Sequence, residues 1–398
     1  MTGEIAEATP ALPLPAAQTA LRGPDWRLII GLFVASRLWL TFIGLVTLHI
    51  LPPLPAPNMG VDSYAATISD LYVRWDSLWY LLIAEHGYST IVPPFQDPGH
   101  INYAFYPLYP LIMWGLSTIT KLPAAICGLI VSNVSFLAAL VVIYILAEHW
   151  SRSRSVAGLT VALLCLVPQS FVFSAVYTES LFLLLTALSM LLFEQRRFAL
   201  AGLTAALGSA SRSNGVFIVV YFGLALLRQR GLVGAFRVWR SPEAYLPIIL
   251  APLGLFAFWW FSMLTTGDAF AQKSTMVHGW HWVFDWPWQN IANRLLGYDF
   301  SAQYFIVASL VMFAASLLLL RRDTWPLFGY CFACFALFWT GSLANSLLRY
   351  AIVLFPIFYG AARVLAPHRI VTGLVLVVFS LGNTLLMVLW AVGSILTI

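Results

Sequence analysis

"AAICGLIVSNVSFLAALVVIYILA", residues 124–147, is long enough to cross a bilayer and contains no charged side chain. Because a helix needs about 20 mainly apolar residues to cross the hydrocarbon core, this stretch predicts a transmembrane helix. The whole chain has the same character, since 61% of its 398 residues are hydrophobic and only 9% are charged. A soluble domain carries about 25% charged residues. The long apolar runs therefore predict an all-α, polytopic membrane protein.

Apolar runs of this length recur along the chain and predict about eleven transmembrane helices. They lie near residues 28–51, 124–147, 156–174, 176–193, 199–212, 215–228, 245–265, 303–320, 325–341, 347–365 and 370–396. Residues 1–26 are predicted to be a cytoplasmic tail, and residues 27–398 a single transmembrane domain. The stretch 103–119 carries early prolines and several tyrosines, so we expect it to pack at the outer surface without crossing.

The basic residues form short clusters between the apolar spans, as in "HWSRSRS" (149–155) and "EQRRF" (194–198). Cytoplasmic loops are enriched in Lys and Arg, and these clusters all share the side of the N-terminus if 103–119 does not cross. The net charge of +5 therefore reflects topology rather than nucleic-acid binding. On this topology the large loops 52–123 and 266–302 face outward, and so does any site that they form.

The first outer loop contains the segment "RWDSLWYLLIAEHGY" (74–88), which is amphipathic at helical spacing. Its apolar stripe comprises Trp75, Leu78, Trp79, Leu82 and Ile83. Such a helix is expected to lie in the membrane interface with its tryptophans at headgroup depth. Asp76 begins the helix, where it either caps the N-terminus, since the helix dipole favours a carboxylate there, or acts as a catalytic base. Glu85 and His86 either line an acceptor site or face water.

Further charged residues stand at the outer ends of later spans. Glu179 of "YTES" (177–180) is a functional candidate, because a carboxylate at that depth is costly unless it is paired. Arg212 of "SRSNG" (211–215) and Arg349 of "LLRY" (347–350) are exceptions to the positive-inside rule, because on this topology they lie on the outer face. They either pair with loop carboxylates or bind an anionic headgroup, since guanidinium forks suit phosphate oxygens. Arg37, inside the first span, is expected to pair between helices.

The tryptophan-rich loop 266–302 either anchors the protein among lipid headgroups or stacks on a sugar. Its His278 and His281 lack a third ligand at metal-binding spacing, so no metal site is predicted. Cys331 and Cys334 form a C-x-x-C motif without a second pair, and we interpret them as small buried thiols.

Several motifs follow one another in an order that resembles the PIG-V family. They are "RWDSLWYLLIAEHGYS" (74–89), "NYAFYPLYP" (102–110), "YTESLF" (177–182), "SRSNG" (211–215) and "LLRYAIVLFPIF" (347–358). The eukaryotic members of that family are GPI mannosyltransferases that add the second mannose, and prokaryotic relatives exist. The family belongs to the GT-C glycosyltransferases, which are multispan enzymes that use lipid-phosphate sugars and carry an acidic residue in the first outer loop.

The resemblance implies transfer of mannose from polyprenyl or dolichyl phosphate mannose to a hydroxyl of a lipid-linked or glycan acceptor. It implies an outward-facing site in a prokaryotic plasma membrane, no metal or other cofactor, and Asp76 as the general base. The implied substrate-binding residues are Arg74, Glu85, His86, Tyr106, Glu179, Arg212, Asn214, Gln272, Lys273, Arg349 and Tyr350.

Two other classes of membrane protein have a similar pattern of apolar spans. A secondary transporter would place charged residues near the bilayer midplane between two similar halves. A lipid flippase would need a hydrophilic path to the cytoplasmic side. The polar residues gather at one face instead, which favours the glycosyltransferase.

Overall fold

The computed structural model describes residues 23–52, 54, 67–88, 102–341 and 346–397. Within these ranges the chain is helical, with one isolated β-bridge between Phe284 and Gly341, so the predicted all-α class is confirmed. Most of the predicted tail, residues 1–22, lies outside the described residues. The same holds for residues 53, 55–66 and 89–101 of the first outer loop.

The described α-helices follow the apolar runs of the sequence. They are α1 (Trp26–Ile50), α2 (Ile68–Tyr72), α3 (Ser77–His86), α4 (Leu108–Thr120), α5 (Ala124–Ser151), α6 (Arg154–Leu166), α7 (Glu179–Glu194), α8 (Phe198–Ser211), α9 (Ile218–Phe236), α10 (Leu246–Leu250), α11 (Leu253–Thr266), α12 (Ala271–Gly279), α13 (Pro287–Leu296), α14 (Phe300–Ser316), α15 (Trp325–Phe338), α16 (Leu347–Ile352), α17 (Pro356–Leu365) and α18 (Arg369–Ala391).

Six helical segments are long and apolar enough to cross a membrane. They are Trp26–Ile50, Ala124–Ser151, Ser213–Phe236, Pro242–Thr266, Phe300–Leu319 and Arg369–Ala391. Shorter apolar helices, α4, α6, α8 and α15, pack among them. The chain is thus an integral membrane protein, while the number of about eleven crossings stays a prediction.

Helix α4 lies along only the N-terminal half of α5. The hydroxyl of Tyr109, near the start of α4, donates to the carbonyl of Gly128 (3.0 Å) and lies 2.8 Å from the hydroxyl of Ser132. At the other end of α4, Thr120 lies beside Cys127. Since α5 continues to Ser151, α4 ends far short of the opposite end of α5. This geometry supports the prediction that residues 103–119 do not cross.

Arg37 joins α1 to the end of α6. Its buried guanidinium donates to the carbonyls of Ser170 (2.7 Å) and Cys165 (3.2 Å) and to the hydroxyl of Ser170 (2.8 Å). The last carbonyls of a helix have no partner within the helix, and here the Cys165 carbonyl accepts hydrogen bonds from both Arg37 and the hydroxyl of Ser170 (2.8 Å). The predicted pairing between helices is confirmed.

Helices α8 and α11 approach each other closely through small residues. The hydroxyl of Ser209 donates to the carbonyl of Ala251 (2.6 Å) and accepts from the N–H of Leu255 (3.2 Å). Between these contacts, Gly254 lies against the backbone of α8, where a methyl group would overlap Ala206 and Ala210. This contact fixes the C-terminal end of α8, which is followed at once by Arg212.

We therefore expect Gly254→Ala to lower the melting temperature, because the added methyl group must push α8 and α11 apart. Overpacking of this kind costs about 1–3 kcal/mol. Gly223→Ala is the matched control, since a methyl group at that helical glycine meets nothing within 4 Å. Thermal unfolding of the purified proteins in detergent measures both. Equal melting temperatures for the two variants would contradict the close packing.

Candidate functional site

Four charged side chains from separate parts of the chain meet at one end of the helix bundle. Asp76 comes from the residue before α3, Glu179 from the first residue of α7, Arg212 from the residue after α8, and Arg349 from α16. All four were predicted as site residues from the sequence. Their meeting confirms that these motifs share one place in the fold.

Glu179 is the centre of this cluster. Its Oε1 lies 2.8 Å from Nη1 of Arg212 and 3.1 Å from Nε of Arg349, and its side chain is only 2% exposed. A buried carboxylate needs such partners, because desolvation of an unpaired charge costs several kcal/mol. Its position at the start of α7 adds the favourable field of the helix dipole. The hydroxyl of the preceding Thr178 accepts a hydrogen bond from Arg212 (3.2 Å).

Asp76 is the more exposed of the two carboxylates in the cluster. Its Oδ2 accepts a hydrogen bond from Nη2 of Arg349 at 2.5 Å, and its side chain is 24% exposed. It occupies the N-cap position of α3 but makes no side-chain hydrogen bond to that helix, so it does not cap the helix by hydrogen bonding. Its Oδ1 has no hydrogen-bond partner among the described residues, which leaves this oxygen available to a ligand.

The residue before Asp76 has a strained backbone. Trp75 has a φ of 53°, in the left-handed region that bulky residues rarely adopt. Strain of this kind is found where the surrounding structure fixes a functional geometry. Here it turns the chain directly into Asp76 and α3.

The two arginines are held by aromatic rings as well as by carboxylates. The guanidinium of Arg349 lies 4.7 Å from the ring centre of Tyr177, and that of Arg212 lies 4.8 Å from the ring centre of Tyr350. Such cation–π contacts fix the plane of the guanidinium group. Arg349 thus pairs with the loop carboxylate Asp76, as predicted, and Arg212 pairs with Glu179 at the start of α7. Nη1 of Arg349 and Nη2 of Arg212 donate to no described residue, so both can still reach an anion.

Tyr80 and Tyr177 belong to the site, although neither was predicted. Burial raises the pKa of Tyr80, and the nearby Glu179 carboxylate raises it further, so its hydroxyl stays protonated. The hydroxyl of Tyr177 donates to the carbonyl of Arg74 (3.1 Å). Tyr177 immediately precedes the "TES" of its motif and could have been found there, whereas no sequence signal marks Tyr80.

Arg74 is buried and hydrogen-bonded to other parts of the protein. It is 2% exposed, its Nε donates to the carbonyl of Asp70 (2.6 Å), and its Nη1 donates to the carbonyl of Trp390 (3.2 Å). These bonds fasten the Asp76 segment to the end of α18. A substrate contact by Arg74 stays a prediction.

Helix α3 is packed into the protein, contrary to the expected place of its tryptophans among lipid headgroups. Trp79 is buried and stacks on Phe105 at 5.6 Å between ring centres, with Trp280 at 5.5 Å. Of the predicted apolar stripe, Trp79 and Ile83 are buried, whereas Trp75, Leu78 and Leu82 are only partly buried. Through Trp280, the loop 266–302 contributes to the packing around α3.

The remaining predicted residues lie outside the charged cluster. Glu85 and His86 are exposed at the C-terminal end of α3, with 4.0 Å between their charged atoms. The hydroxyl of Tyr106 donates to Oε1 of Gln272 (3.3 Å), which links the two outer loops, and Lys273 beside it is exposed. Their contacts with substrate stay predictions.

Asn214 is buried next to the end of α8 that is followed by Arg212. It is 3% exposed, and its Nδ2 has no hydrogen-bond partner among the described residues. A buried donor without a partner costs free energy. Contact of Asn214 with substrate stays a prediction.

No group of metal-binding side chains occurs among the residues that the structure describes. Cys331 and Cys334 are buried and form no disulfide. This agrees with their interpretation as apolar packing residues.

Comparison with known proteins places these features in a family. The profile of the mannosyltransferase (PIG-V) family matches residues 29–248. GPI alpha-1,6-mannosyltransferase 2 of Rattus norvegicus is 32% identical over 180 residues, which cover 42% of this chain and 34% of that protein. GPI mannosyltransferase 2 of Schizosaccharomyces pombe is 28% identical over 156 residues, covering 38% and 32%. The matched region thus spans about a third of the length of each relative.

The fold also matches a solved structure. ArnT from Cupriavidus metallidurans, crystallised with undecaprenyl phosphate, superposes with a TM-score of 0.52 at 12% sequence identity. The match covers 94% of this chain and 74% of that one. At this identity the likeness concerns the fold alone.

The charged cluster predicts a large stability loss for Glu179→Gln. Removing the negative charge of Glu179 leaves Arg212 and Arg349 with less opposite charge nearby. This should lower the free energy of unfolding by about 3 kcal/mol or more. Glu85→Gln is the control, because Glu85 is exposed and has no buried partner. Its substitution should change the free energy of unfolding by less than about 0.5 kcal/mol. Thermal unfolding in detergent compares the two. A Glu179→Gln protein as stable as the control would show that the cluster does not hold the fold together.

Proposed function

Because the chain belongs to the PIG-V mannosyltransferase family, we propose that it transfers mannose from polyprenyl or dolichyl phosphate mannose to an acceptor hydroxyl. The acceptor is a lipid-linked molecule or a glycan. The observation that carries this proposal is the arrangement of Asp76, a partly exposed carboxylate, next to two arginines that Glu179 holds in place.

Asp76 acts as the general base. As the acceptor oxygen attacks the anomeric carbon, its proton passes to Oδ1 of Asp76, the oxygen without a partner among the described residues. Arg349 orients the carboxylate through Oδ2. A positioned base of this kind contributes about 10²–10⁴-fold to the rate.

Arg349 and Arg212 stabilise the leaving group. When the new carbon–oxygen bond forms, the bond from the anomeric carbon to the phosphate oxygen breaks, and its electron pair stays on the polyprenyl phosphate. The phosphate gains negative charge in the transition state, and fixed guanidinium donors lower its energy there. Nη1 of Arg349 and Nη2 of Arg212 supply donors that no described residue occupies. Attack opposite the phosphate inverts the anomeric centre, giving an α-mannoside from a β-linked donor.

This chemistry needs no metal. A monophosphate leaving group carries less charge than a nucleotide diphosphate, and two arginines provide the countercharge. We therefore propose that the lipid-phosphate sugar and the acceptor are the only small molecules required, and that neither a metal nor another cofactor takes part.

The charge distribution supports an outward-facing site in a plasma membrane, which we propose to be that of a prokaryote. Glu179 begins α7, whereas Arg196 and Arg197 follow its other end. The site thus lies at the end of the bundle away from the basic clusters, and cytoplasmic loops are the basic ones. A transporter or flippase for a lipid-linked saccharide is the alternative, but the paired charges of the site gather at one end rather than near the midplane.

We expect Asp76→Asn to reduce transfer by about 100-fold or more, because an amide cannot accept the proton. The assay is sugar transfer in membranes supplied with labelled polyprenyl phosphate mannose, with the amount of folded protein checked by thermal unfolding. Asp70→Asn is the matched control, since that carboxylate lies in the same loop and bonds only within its own helix turn around Thr67. Full activity of Asp76→Asn would refute its role as the base.

A further inference from the structure

An open cleft of about 470 Å³ lies between α1, α6 and α18, at the end of the bundle opposite the charged cluster. Its walls are mainly apolar, and small residues make the space. They are Gly158 and Ala162 of α6 and Gly373 of α18. A methyl group added at Gly373 would meet nothing within 4 Å, so the cleft is open along that side of the helix.

Two arginines stand at the mouth of this cleft. Arg154 begins α6 and Arg369 begins α18, and both line the cleft. Arg154 is held in place, since its Nε donates to the hydroxyl of Tyr144 (3.1 Å) and its Nη2 to the carbonyl of Gly23 (3.3 Å). Glu148 lies 3.9 Å from Arg154, and Asp25 is also close enough to attract it, so these carboxylates offset the charge of Arg154. Arg369 is exposed and pairs with no described residue, so it supplies the uncompensated positive charge at the mouth.

Apolar walls below a positively charged mouth fit an amphiphile with an anionic head. We propose that the cleft binds one anionic glycerophospholipid, with its phosphate between Arg154 and Arg369 and one acyl chain along α6 and α18. Basic pockets between transmembrane helices on the cytoplasmic side bind anionic headgroups by the same charge complementarity. A zwitterionic lipid fits less well, because its own cation would lie beside the two arginines.

The dimensions of the cleft favour a phospholipid over a long polyprenyl chain. The lining residues run from Arg154 to Ala162 on α6 and from Arg369 to Leu376 on α18, which is about 10–12 Å at 1.5 Å per residue. That length fits within one leaflet of a hydrocarbon core about 30 Å thick.

The lipid site is separate from the charged cluster. At the far end of α18, the carbonyl of Trp390 accepts a hydrogen bond from Arg74, two residues before Asp76. The 23 residues of α18 therefore place about 30 Å between the arginines at the mouth of the cleft and the cluster. On the proposed topology the cleft opens to the cytoplasmic leaflet. Its ligand does not take part in the transfer reaction, so the proposal stands without the proposed function.

Native mass spectrometry of the purified protein with added phosphatidylglycerol or phosphatidylcholine tests this site. We expect one retained phosphatidylglycerol and a preference over phosphatidylcholine of about tenfold or more, which two charged hydrogen bonds can supply. The double substitution Arg154→Gln and Arg369→Gln should remove this preference. Arg322→Gln is the matched control, because that exposed arginine lies in another basic connection and outside the cleft.

Gly373→Leu tests the acyl-chain site without touching the charges. The leucine fills open space, so the helix should keep its stability while retention of phosphatidylglycerol falls. This variant keeps the proposal falsifiable if the double arginine variant does not fold. Equal retention of both lipids by the wild-type protein, or unchanged retention in Gly373→Leu, would overturn the proposal. Binding of added undecaprenyl phosphate in place of phosphatidylglycerol would overturn it as well.

Discussion

One buried carboxylate, that of Glu179, is the constraint on which the rest of the site depends. It lies within 3.1 Å of guanidinium nitrogens from two different helical ends, and it is almost fully removed from solvent. Neither arginine could stay at this depth alone, because an unpaired buried charge is strongly destabilising. The start of α7, the end of α8 and α16 are therefore held together by electrostatics as well as by packing.

Arg349 links the buried Glu179 to Asp76. Its Nη2 donates a hydrogen bond to Asp76, and its Nε lies 3.1 Å from Oε1 of Glu179, while its guanidinium lies 4.7 Å from the ring centre of Tyr177. The proposed base and the proposed anion-binding donors are thus parts of one rigid arrangement. Groups that are fixed before the substrate arrives need no reorganisation during the reaction, which is how preorganised charges lower a barrier.

Much of the fold could be predicted from the sequence, because apolar runs and basic clusters are local signals. The bounds of α1, α5 and α18 agree closely with the predicted spans. The charged residues of the site were also predicted, since charges are rare in this chain. Which arginine pairs with which carboxylate was not predicted, because the pairing of Asp76 with Arg349 joins positions 273 residues apart.

One expectation was wrong for the same reason. Trp79 was expected among lipid headgroups, but it is buried within the protein. A helical stripe shows that a face is apolar, but it cannot show that Phe105 and Trp280 cover that face. A structure of the protein with a bound polyprenyl phosphate tests the central claim most directly. We predict phosphate density within hydrogen-bond distance of Arg349 and Arg212, beside Asp76. A phosphate bound elsewhere, with both arginines out of its reach, would contradict the account.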